Sequence, residues 1–382
     1  MTRVVRKRLQ ALLFVLLGVA VLVPLHADEK PTKKADPVEA LRQTQRSNNR
    51  VDTAIRNALQ FFKNQQNVDG SIGKRRDTIS ARRPTADTAL ALLAFVATGN
   101  VPGEPRYGTV VEKGLDFLLS EGRQNAQGYF GGRDKRGMYT HGITTLLLVE
   151  LLGMGVTAKQ DEKLLRACKK AIDVILRSQA VAKGKRDRGG WRYTPRAEDS
   201  DLSVTVWQVT ALRAARNIGL DVPQRSIDEA VSYVRRCFHT EHGGFSYQPP
   251  VNGIKAPTAS TTAAGLFSLQ VCGIYEGPDV QSAADWLMHD SPRLTLRANW
   301  FYYGVYYYAQ AMHQLGERHT KHARKVLQGL LLNADNPMQL PDGSFKSAPA
   351  SSAEKTAGPI YRTTMAVLAL SAEYELLPIF QR

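Results

Sequence analysis

The sequence predicts an all-α protein built from helical hairpins, each pairing an amphipathic helix with a helix that is apolar nearly all round. Five apolar helix-like segments each end at a glycine, namely Gly99, Gly153, Gly219, Gly273 and Gly316. Glycine at this position closes the last helical turn in the left-handed conformation. A more amphipathic segment precedes each of them. The 382-residue chain is 43% hydrophobic and 23% charged, which is typical of a globular protein with a sizeable core.

The first residues are typical of an export signal. Four basic residues precede an apolar run over residues 11–23, and a small-residue end at Ala27 follows. This order predicts a signal peptide over residues 1–27 and hence an exported, periplasmic or secreted protein. An uncleaved signal anchored in the inner membrane is the alternative, although 13 apolar residues are few for a permanent span. Residues 28–50 are polar and are predicted to form a disordered tether.

From residue 51 the helical pattern repeats about every fifty residues. The amphipathic segments cover residues 51–66, 109–120, 162–178, 225–238, 279–288 and 319–333. Within a pair, a glycine precedes a large apolar residue, as at Gly190-Trp191, and only the fifth pair lacks this turn. Six pairs over residues 51–377 are predicted to close into an α/α toroid, with charged helices outside and apolar helices inside. A tail over residues 378–382 follows, and an open solenoid is the alternative arrangement.

The net charge and the cysteine content limit the partners and the chemistry that are expected of this chain. A formal net charge of +16 favours anionic partners, such as an anionic membrane surface or an acidic polysaccharide. Export argues against nucleic acid, which we do not expect as a partner. The three cysteines lie in helix-like apolar patterns, so three buried thiols are a simpler interpretation than a disulfide framework. No cofactor is expected.

The repeat resembles that of squalene-hopene cyclases, oxidosqualene cyclases and protein prenyltransferase β subunits. In those proteins a helix with aromatic and glutamine residues leads into a glycine–aromatic turn. Phe61, Gln65 and Gly70 show the pattern in the first unit, and Gln179 and Trp191 show it in the third. The resemblance covers residues 51–377 and implies a terpenoid cyclase-like toroid in a secreted bacterial member of the family. It implies no single activity, because such toroids host cyclisation, prenyl transfer and plain binding.

One acidic motif carries the enzymatic interpretation. The cyclases place their general acid in an Asp-x-Asp-Asp-Thr-Ala motif at the start of an inner helix, where this chain has Asp199-Ser200-Asp201-Leu202. The resemblance therefore implies Asp201 as the proton donor and Asp199 as its supporting carboxylate. Leu202 replaces the third acid, and the chain has no room for the second domain that encloses a cyclase substrate. The alternative is that both aspartates cap the helix that begins near Leu202.

No metal site is expected. Where prenyltransferase β subunits carry zinc ligands, residues 138–141 read Met-Tyr-Thr-His. His141 is the one plausible ligand there, and a hydrogen-bonded core histidine is the simpler interpretation. Residues 239–242 (His-Thr-Glu-His) and 319–322 (His-Thr-Lys-His) place histidines three apart. Both segments are interpreted as solvated loops or helix caps.

The candidate binding residues lie where the inner helices begin. Inner helices of this fold present their N-terminal ends at one mouth of the cavity, which is the expected binding site. Residues 299–308 are unusually aromatic and would either line a cavity or pack with their phenol groups at the rim. The candidate substrate-binding residues are Asp87, His141, Trp191, Trp207, Asn299, Trp300, Tyr303, Tyr307, Tyr361 and Arg362.

These observations favour a non-catalytic binding or scaffold module. Its ligand would be an isoprenoid, a lipid, a glycan or a protein segment held in or over the central cavity. The alternative is a class II terpene cyclase-like lyase or isomerase in which Asp201 is the general acid and the aromatic helix stabilises a cation. Binding is preferred to cyclisation because the acidic motif lacks its third acid and the chain has no room for the second domain of a cyclase.

Overall fold

The computed structural model describes residues 37–74, 83–132, 134–251, 256–289, 294–349 and 352–380. The predicted signal peptide, the start of the predicted tether and the last two residues of the predicted tail lie outside these ranges. Two compact units are distinguished, Met1–Arg46 and Ser47–Arg382. The second of these contains the helical repeats.

Twelve α-helices of the described chain alternate between two layers. The outer helices are α1 (Pro37–Asn64), α3 (Gly108–Leu118), α5 (Ala158–Gln179), α7 (Gln224–Arg236), α9 (Pro278–Met288) and α11 (Glu317–Leu331). The inner helices are α2 (Pro84–Ala97), α4 (Gly137–Glu150), α6 (Leu202–Asn217), α8 (Ala259–Val271), α10 (Phe301–Gln314) and α12 (Ser352–Leu370). Short strands β1 (Phe238–His239) and β2 (Gly244–Phe245) pair antiparallel between α7 and α8.

The inner helices form a closed ring. Each packs on its two neighbours in chain order, and α12 packs on α2. A solenoid would leave its first and last inner helices apart, so the predicted toroid is confirmed and the open alternative is wrong. Every residue of α8 is buried, whereas the buried residues of α7 are Ile227, Ala230, Tyr233 and Val234. This contrast follows from the one-sided apolar pattern of α7 and the all-round apolar pattern of α8.

A glutamine in each of four units bonds its turn to the next outer helix. Gln179 Nε2 donates to Gly189 O at 2.9 Å and to Ser226 O of α7 at 2.8 Å. Gln66, Gln124 and Gln339 make the corresponding pairs of bonds. In the first unit the bonding residue is thus Gln66 rather than the adjacent Gln65 that matched the family pattern. Gln339 reaches Ala54 O of α1 at 2.7 Å, so the last unit is tied to the first outer helix.

The predicted helix ends agree with the backbone. The five glycines that follow inner helices have φ between 82° and 101°, namely Gly99, Gly153, Gly219, Gly273 and Gly316. Helix α12 is interrupted by Gly358, where φ is 87°, immediately before Pro359. Helix α1 begins at Pro37, inside the segment predicted to be a tether. The disorder of that segment and the domain boundaries remain predictions.

The chain end crosses one end of the ring. A 3₁₀ turn at Pro378–Phe380 packs on α6, and Leu377 and Ile379 are buried. In ring order α6 lies opposite α12, so the segment that leaves α12 spans the ring to its far side. Part of the predicted tail therefore lies across one end of the toroid. Among the described residues no helix is long and apolar enough to cross a membrane.

Candidate functional site

Asp201 caps the inner helix α6. Its Oδ1 accepts hydrogen bonds from Val204 N at 2.8 Å and from Ser203 Oγ at 2.6 Å. Its Oδ2 lies 2.7 Å from Arg192 Nη1, and the side chain has 0% exposed surface. The backbone N–H of Asp201 donates to Trp191 O at 2.9 Å, which holds the turn against the start of the helix. The carboxylate of Asp201 therefore acts both as a helix cap and as one partner of an ion pair.

The environment of Asp201 favours the capping role over that of a general acid. Burial raises the pKa of its carboxyl, and the bonds from Ser203 and Val204 and the charge of Arg192 oppose that shift. A general acid must reach its substrate and carry a proton, whereas this carboxylate is enclosed and bound to a cation. Asp199 is 53% exposed and lies 3.1 Å from Arg192 Nε. It is a second anion on the same guanidinium.

Two tyrosines contact Arg192 at the start of α6, and a third lies against one of them. The guanidinium carbon lies 4.2 Å from the ring centre of Tyr193 and 5.6 Å from that of Tyr247. Arg192 Nη1 donates to the Tyr247 hydroxyl at 2.8 Å, and the hydroxyls of Tyr193 and Tyr247 are 2.6 Å apart. The ring centre of Tyr139 from α4 lies 5.9 Å from that of Tyr193. We call Arg192, Asp199 and these three partly exposed tyrosines the tyrosine–arginine cluster.

Helix α10 faces this cluster across the ring. Burial raises the pKa of Tyr303 well above its usual value, and Asp201, Tyr361 and Tyr247 add to the shift. Groups from three other sectors of the ring therefore converge on Tyr303. The rings of Tyr303 and Tyr307 are 4.6 Å apart, and within the described ranges neither hydroxyl has a hydrogen-bond partner. Both side chains are buried below the mouth.

A second aromatic pair lies at the start of α10 and α12. Trp300 is 39% exposed and has φ of 57°, a left-handed conformation that a bulky residue adopts only under strong constraint. Its ring centre is 6.4 Å from that of Tyr361, in an edge-on arrangement. Arg362 donates to Phe345 O at 3.1 Å and to Glu354 O at 2.9 Å. Arg362 thus fastens the start of α12, while Trp300 faces solvent.

Aromatic rings fill the centre of the toroid below the mouth. Trp207 stacks on Tyr306 with ring centres 5.7 Å apart, and Phe267 lies 5.6 Å from Tyr307. All four side chains are buried. Trp191 is also buried, and its Nε1 donates to Ile175 O at 2.9 Å. The structure therefore places Trp191 and Trp207 in the core.

His141 replaces a threonine of the repeat. In the third unit, Trp191 N donates to Thr205 Oγ1 at 3.1 Å. Three other turns use the same kind of bond, with Thr88, Thr262 and Thr363 as acceptors. In the second unit, Phe130 N lies 3.3 Å from His141 Nδ1, and His141 Nε2 lies 3.0 Å from Ala171 O. Because Nδ1 accepts, the ring proton resides on Nε2, and His141 is a hydrogen-bonded core residue.

Replacing His141 with threonine is expected to flatten the acid dependence of stability. Burial lowers the pKa of His141 from 6.5 to about 4, against the opposing bond to Ala171. Between these values the unfolded chain binds more protons than the folded chain, so the free energy of unfolding decreases as the pH is lowered, by up to about 3 kcal/mol. Threonine keeps an acceptor for Phe130 and does not titrate. The variant should be less stable than the native chain at pH 7 but lose less on acidification.

Urea unfolding at pH 7 and pH 4.5 measures this difference. His322→Thr, on the outer helix α11, serves as the matched control and should keep the acid-induced loss of the native chain. An equal loss in His141→Thr and in the native chain would show that His141 is not held neutral by the fold.

The predicted binding residues divide between mouth and core. Asn299 and Trp300 are exposed and Tyr361 is partly exposed, whereas Asp87 is buried at the start of α2. The sequence alone did not single out Tyr139, Tyr193, Tyr247 or Arg192 as site residues. Two of these tyrosines share a recognisable position in the sequence. Tyr193 lies two residues after Trp191, and Tyr247 lies two residues after Phe245, the aromatic residues of their glycine–aromatic turns.

Comparison with known proteins extends these observations. The family model of the prenyltransferase alpha-alpha toroid domain matches residues 112–291. An inactive variant of the GH76A α-1,6-mannanase from Salegentibacter sp. HEL1_6, in complex with α-1,6-mannotriose, has a TM-score of 0.61 and 9% identity, covering 85% of this chain and 99% of that chain. No curated protein sequence matches the chain.

Two further solved structures share the architecture. A possible member of the GH105 family from Klebsiella pneumoniae has a TM-score of 0.51 and 13% identity, covering 93% of this chain and 99% of that chain. A variant of the type II terpene cyclase MstE from Scytonema has a TM-score of 0.51 and 13% identity, covering 87% of this chain and 99% of that chain. At such identities the likeness shows the fold alone.

Proposed function

We propose that this chain, which matches the family model of the prenyltransferase alpha-alpha toroid domain over residues 112–291, is an exported glycan-binding module. Its ligand would bind at the mouth of the toroid, on the tyrosine–arginine cluster. The observation that carries this proposal is a group of three partly exposed tyrosines, two of which contact Arg192, beside the exposed carboxylate of Asp199. Recognition sites commonly combine aromatic faces with a few fixed polar groups.

Each component of the cluster suits a sugar ring. Tyr139 and Tyr193 are partly exposed and provide apolar ring surface with little conformational entropy to lose, although Arg192 covers part of the Tyr193 ring. Arg192 is a rigid donor, and its position is set by Asp201 and Asp199. The exposed carboxylate of Asp199 is an acceptor for ligand hydroxyl groups. A sugar needs such apolar faces and such paired donors and acceptors together.

The centre of the ring argues against an isoprenoid ligand. An isoprenoid needs an enclosed apolar cavity, whereas Trp207, Phe267, Tyr306 and Tyr307 fill the interior at that depth. The exposed part of the mouth carries charges that a hydrocarbon cannot pair, which is unfavourable on burial. Asp201, the proton donor of the cyclase interpretation, is enclosed and ion-paired. A glycan at the mouth is therefore better supported than cyclisation within the ring.

The likeness to a mannanase solved with α-1,6-mannotriose supports a carbohydrate ligand. The inactive form of that enzyme has two consecutive aspartates replaced, and no two aspartates are adjacent in this sequence. Glycoside hydrolysis generally needs two carboxyl groups that both reach the substrate. At the start of α6, Asp199 is exposed but Asp201 is enclosed. These facts favour binding over hydrolysis.

Removing one aromatic face should weaken glycan binding. Tyr193→Ala is expected to lower affinity about tenfold, equivalent to about 1.4 kcal/mol, in titration calorimetry against a panel of neutral and acidic oligosaccharides. Tyr275→Ala is the matched control, since Tyr275 is 36% exposed and follows the C-terminal end of α8. Equal affinities in both variants would remove the tyrosine–arginine cluster from recognition.

The same panel distinguishes the competing functions. A polyprenol added in detergent should not bind, and the bound oligosaccharides should be recovered at their original length. Shortened products would replace the binding proposal with a glycan-processing enzyme. Binding of the polyprenol alone would restore the isoprenoid interpretation.

A further inference from the structure

We propose that the turn between β1 and β2 binds a divalent transition-metal ion of the zinc class. His239, Glu241 and His242 each present one ligand atom there, and the three atoms lie within 4.8 Å of one another. Two imidazoles with one carboxylate form a donor set that zinc accepts in proteins. None of these three residues belongs to the tyrosine–arginine cluster, and the proposal does not depend on the glycan.

The buried histidine supplies the strongest argument. His239 is 5% exposed, and its Nε2 has no hydrogen-bond partner within the described residues. Leaving a buried nitrogen unpaired is unfavourable, and each such atom in a folded protein calls for a partner. A metal ion would satisfy this nitrogen, since neutral imidazole is the most common metal ligand among side chains.

The backbone of the turn holds the three residues together. His239 pairs with Gly244 across the two strands, and its carbonyl accepts from His242 N at 3.2 Å and from Gly243 N at 2.8 Å. The rings of His239 and His242 have their centres 4.6 Å apart with 40° between their planes. Both imidazoles are thus brought to one side of a short hairpin before any ion binds.

Only side-chain rotation is needed to complete the site. Two nitrogens at 2.0–2.1 Å from a tetrahedral ion are separated by about 3.3 Å, so the donor atoms must approach one another by up to about 1.5 Å. Glu241 and His242 are exposed and can rotate without disturbing the core. The fourth position would face solvent, which also gives the ion a path of entry.

The donor types select the class of ion. Magnesium and calcium prefer sites made of oxygen atoms, whereas imidazole nitrogen suits zinc, copper and nickel. The site would fasten the turn at Gly243, where an added Cβ atom would lie 2.6 Å from Ser282 Oγ of α9. In the third unit, Gln179 joins the equivalent turn to the next outer helix. Bound metal should therefore raise the melting temperature of the full chain.

Titration calorimetry with zinc chloride on the EDTA-treated, dialysed full chain tests the proposal. One ion per chain is expected, with no comparable heat from magnesium chloride. His242→Ala should weaken zinc binding at least a hundredfold, and Glu241→Gln at least tenfold. Both residues are exposed, so circular dichroism should show an unchanged helical fold in each variant.

The second histidine pair provides the matched control. His319 and His322 lie three apart on helix α11, so the double variant His319→Ala/His322→Ala removes two histidines but leaves the turn intact. It should keep the full zinc affinity of the native chain. Zinc binding that survives in His242→Ala, or that is lost in the α11 double variant, would overturn the assignment to residues 239–242.

Discussion

Replacing Gly343 with alanine is expected to lower the free energy of unfolding by about 3–5 kcal/mol. Gly343 has φ of 90°, and a Cβ atom there would lie 2.1 Å from Asn57 O on α1. The left-handed backbone costs alanine about 1–2 kcal/mol, and the overlap with a backbone oxygen forces the turn away from α1. This contact joins the last unit to the first, so the effect should extend to both ends of the repeat.

Gly153→Ala separates the two causes. Gly153 has φ of 82°, and a Cβ atom there would meet nothing within 4 Å. Only the conformational cost should appear, about 1–2 kcal/mol. Chemical denaturation of both variants measures the difference. If Gly343→Ala were no more destabilising than Gly153→Ala, the approach of the last turn to α1 would not be tight.

Removing the charge of Arg192 is expected to lower the free energy of unfolding strongly as well. Arg192→Met keeps most of the side-chain volume but leaves the carboxylate of Asp201 buried without its cation. Loss of one partner from a buried ion pair typically costs about 3–5 kcal/mol, and the 21% exposure of Arg192 places the expected value near the lower end, about 3 kcal/mol. Equilibrium unfolding in urea gives the value directly.

Asp201→Asn in the Arg192→Met background should recover much of that loss. Asparagine is as good a helix N-cap as aspartate, so the neutral side chain can still accept from Val204 N, while no buried charge remains. The double-mutant cycle then reports the coupling between the two residues. A neutral effect of Arg192→Met alone would mean that Asp201 does not depend on its cation, and the general-acid interpretation would regain support.

The histidine-containing segments show how position in the fold changes the meaning of a residue. The sequence predicted a hydrogen-bonded core role for His141, and its bonds to Phe130 and Ala171 agree with that role. For residues 239–242 it predicted a solvated loop. His239 is buried because it lies in the short strand pair β1–β2. The sequence of residues 239–242 contains no pattern that predicts this burial.

Some residues of the candidate site could likewise be selected from the sequence, and others could not. Trp300 and Tyr361 were selected because they stand at the start of inner helices, a placement that follows from the repeat. Arg192 was not selected, because its role depends on Asp201, Tyr193 and Tyr247 meeting around it. Tyr247 belongs to the next unit of the chain, and that distance in sequence hides the contact.

By itself the sequence determined the alternation of layers, the glycine helix ends and the helical-hairpin repeat, since amphipathic periodicity and helix capping act within a few residues. Only the tertiary structure decided that Gln339 and Gly343 close the ring on α1, that the chain end covers one face, and that Asp201 is a paired cap. These features join residues far apart in the chain, and their energies arise from packing and burial that exist only once the ring has closed.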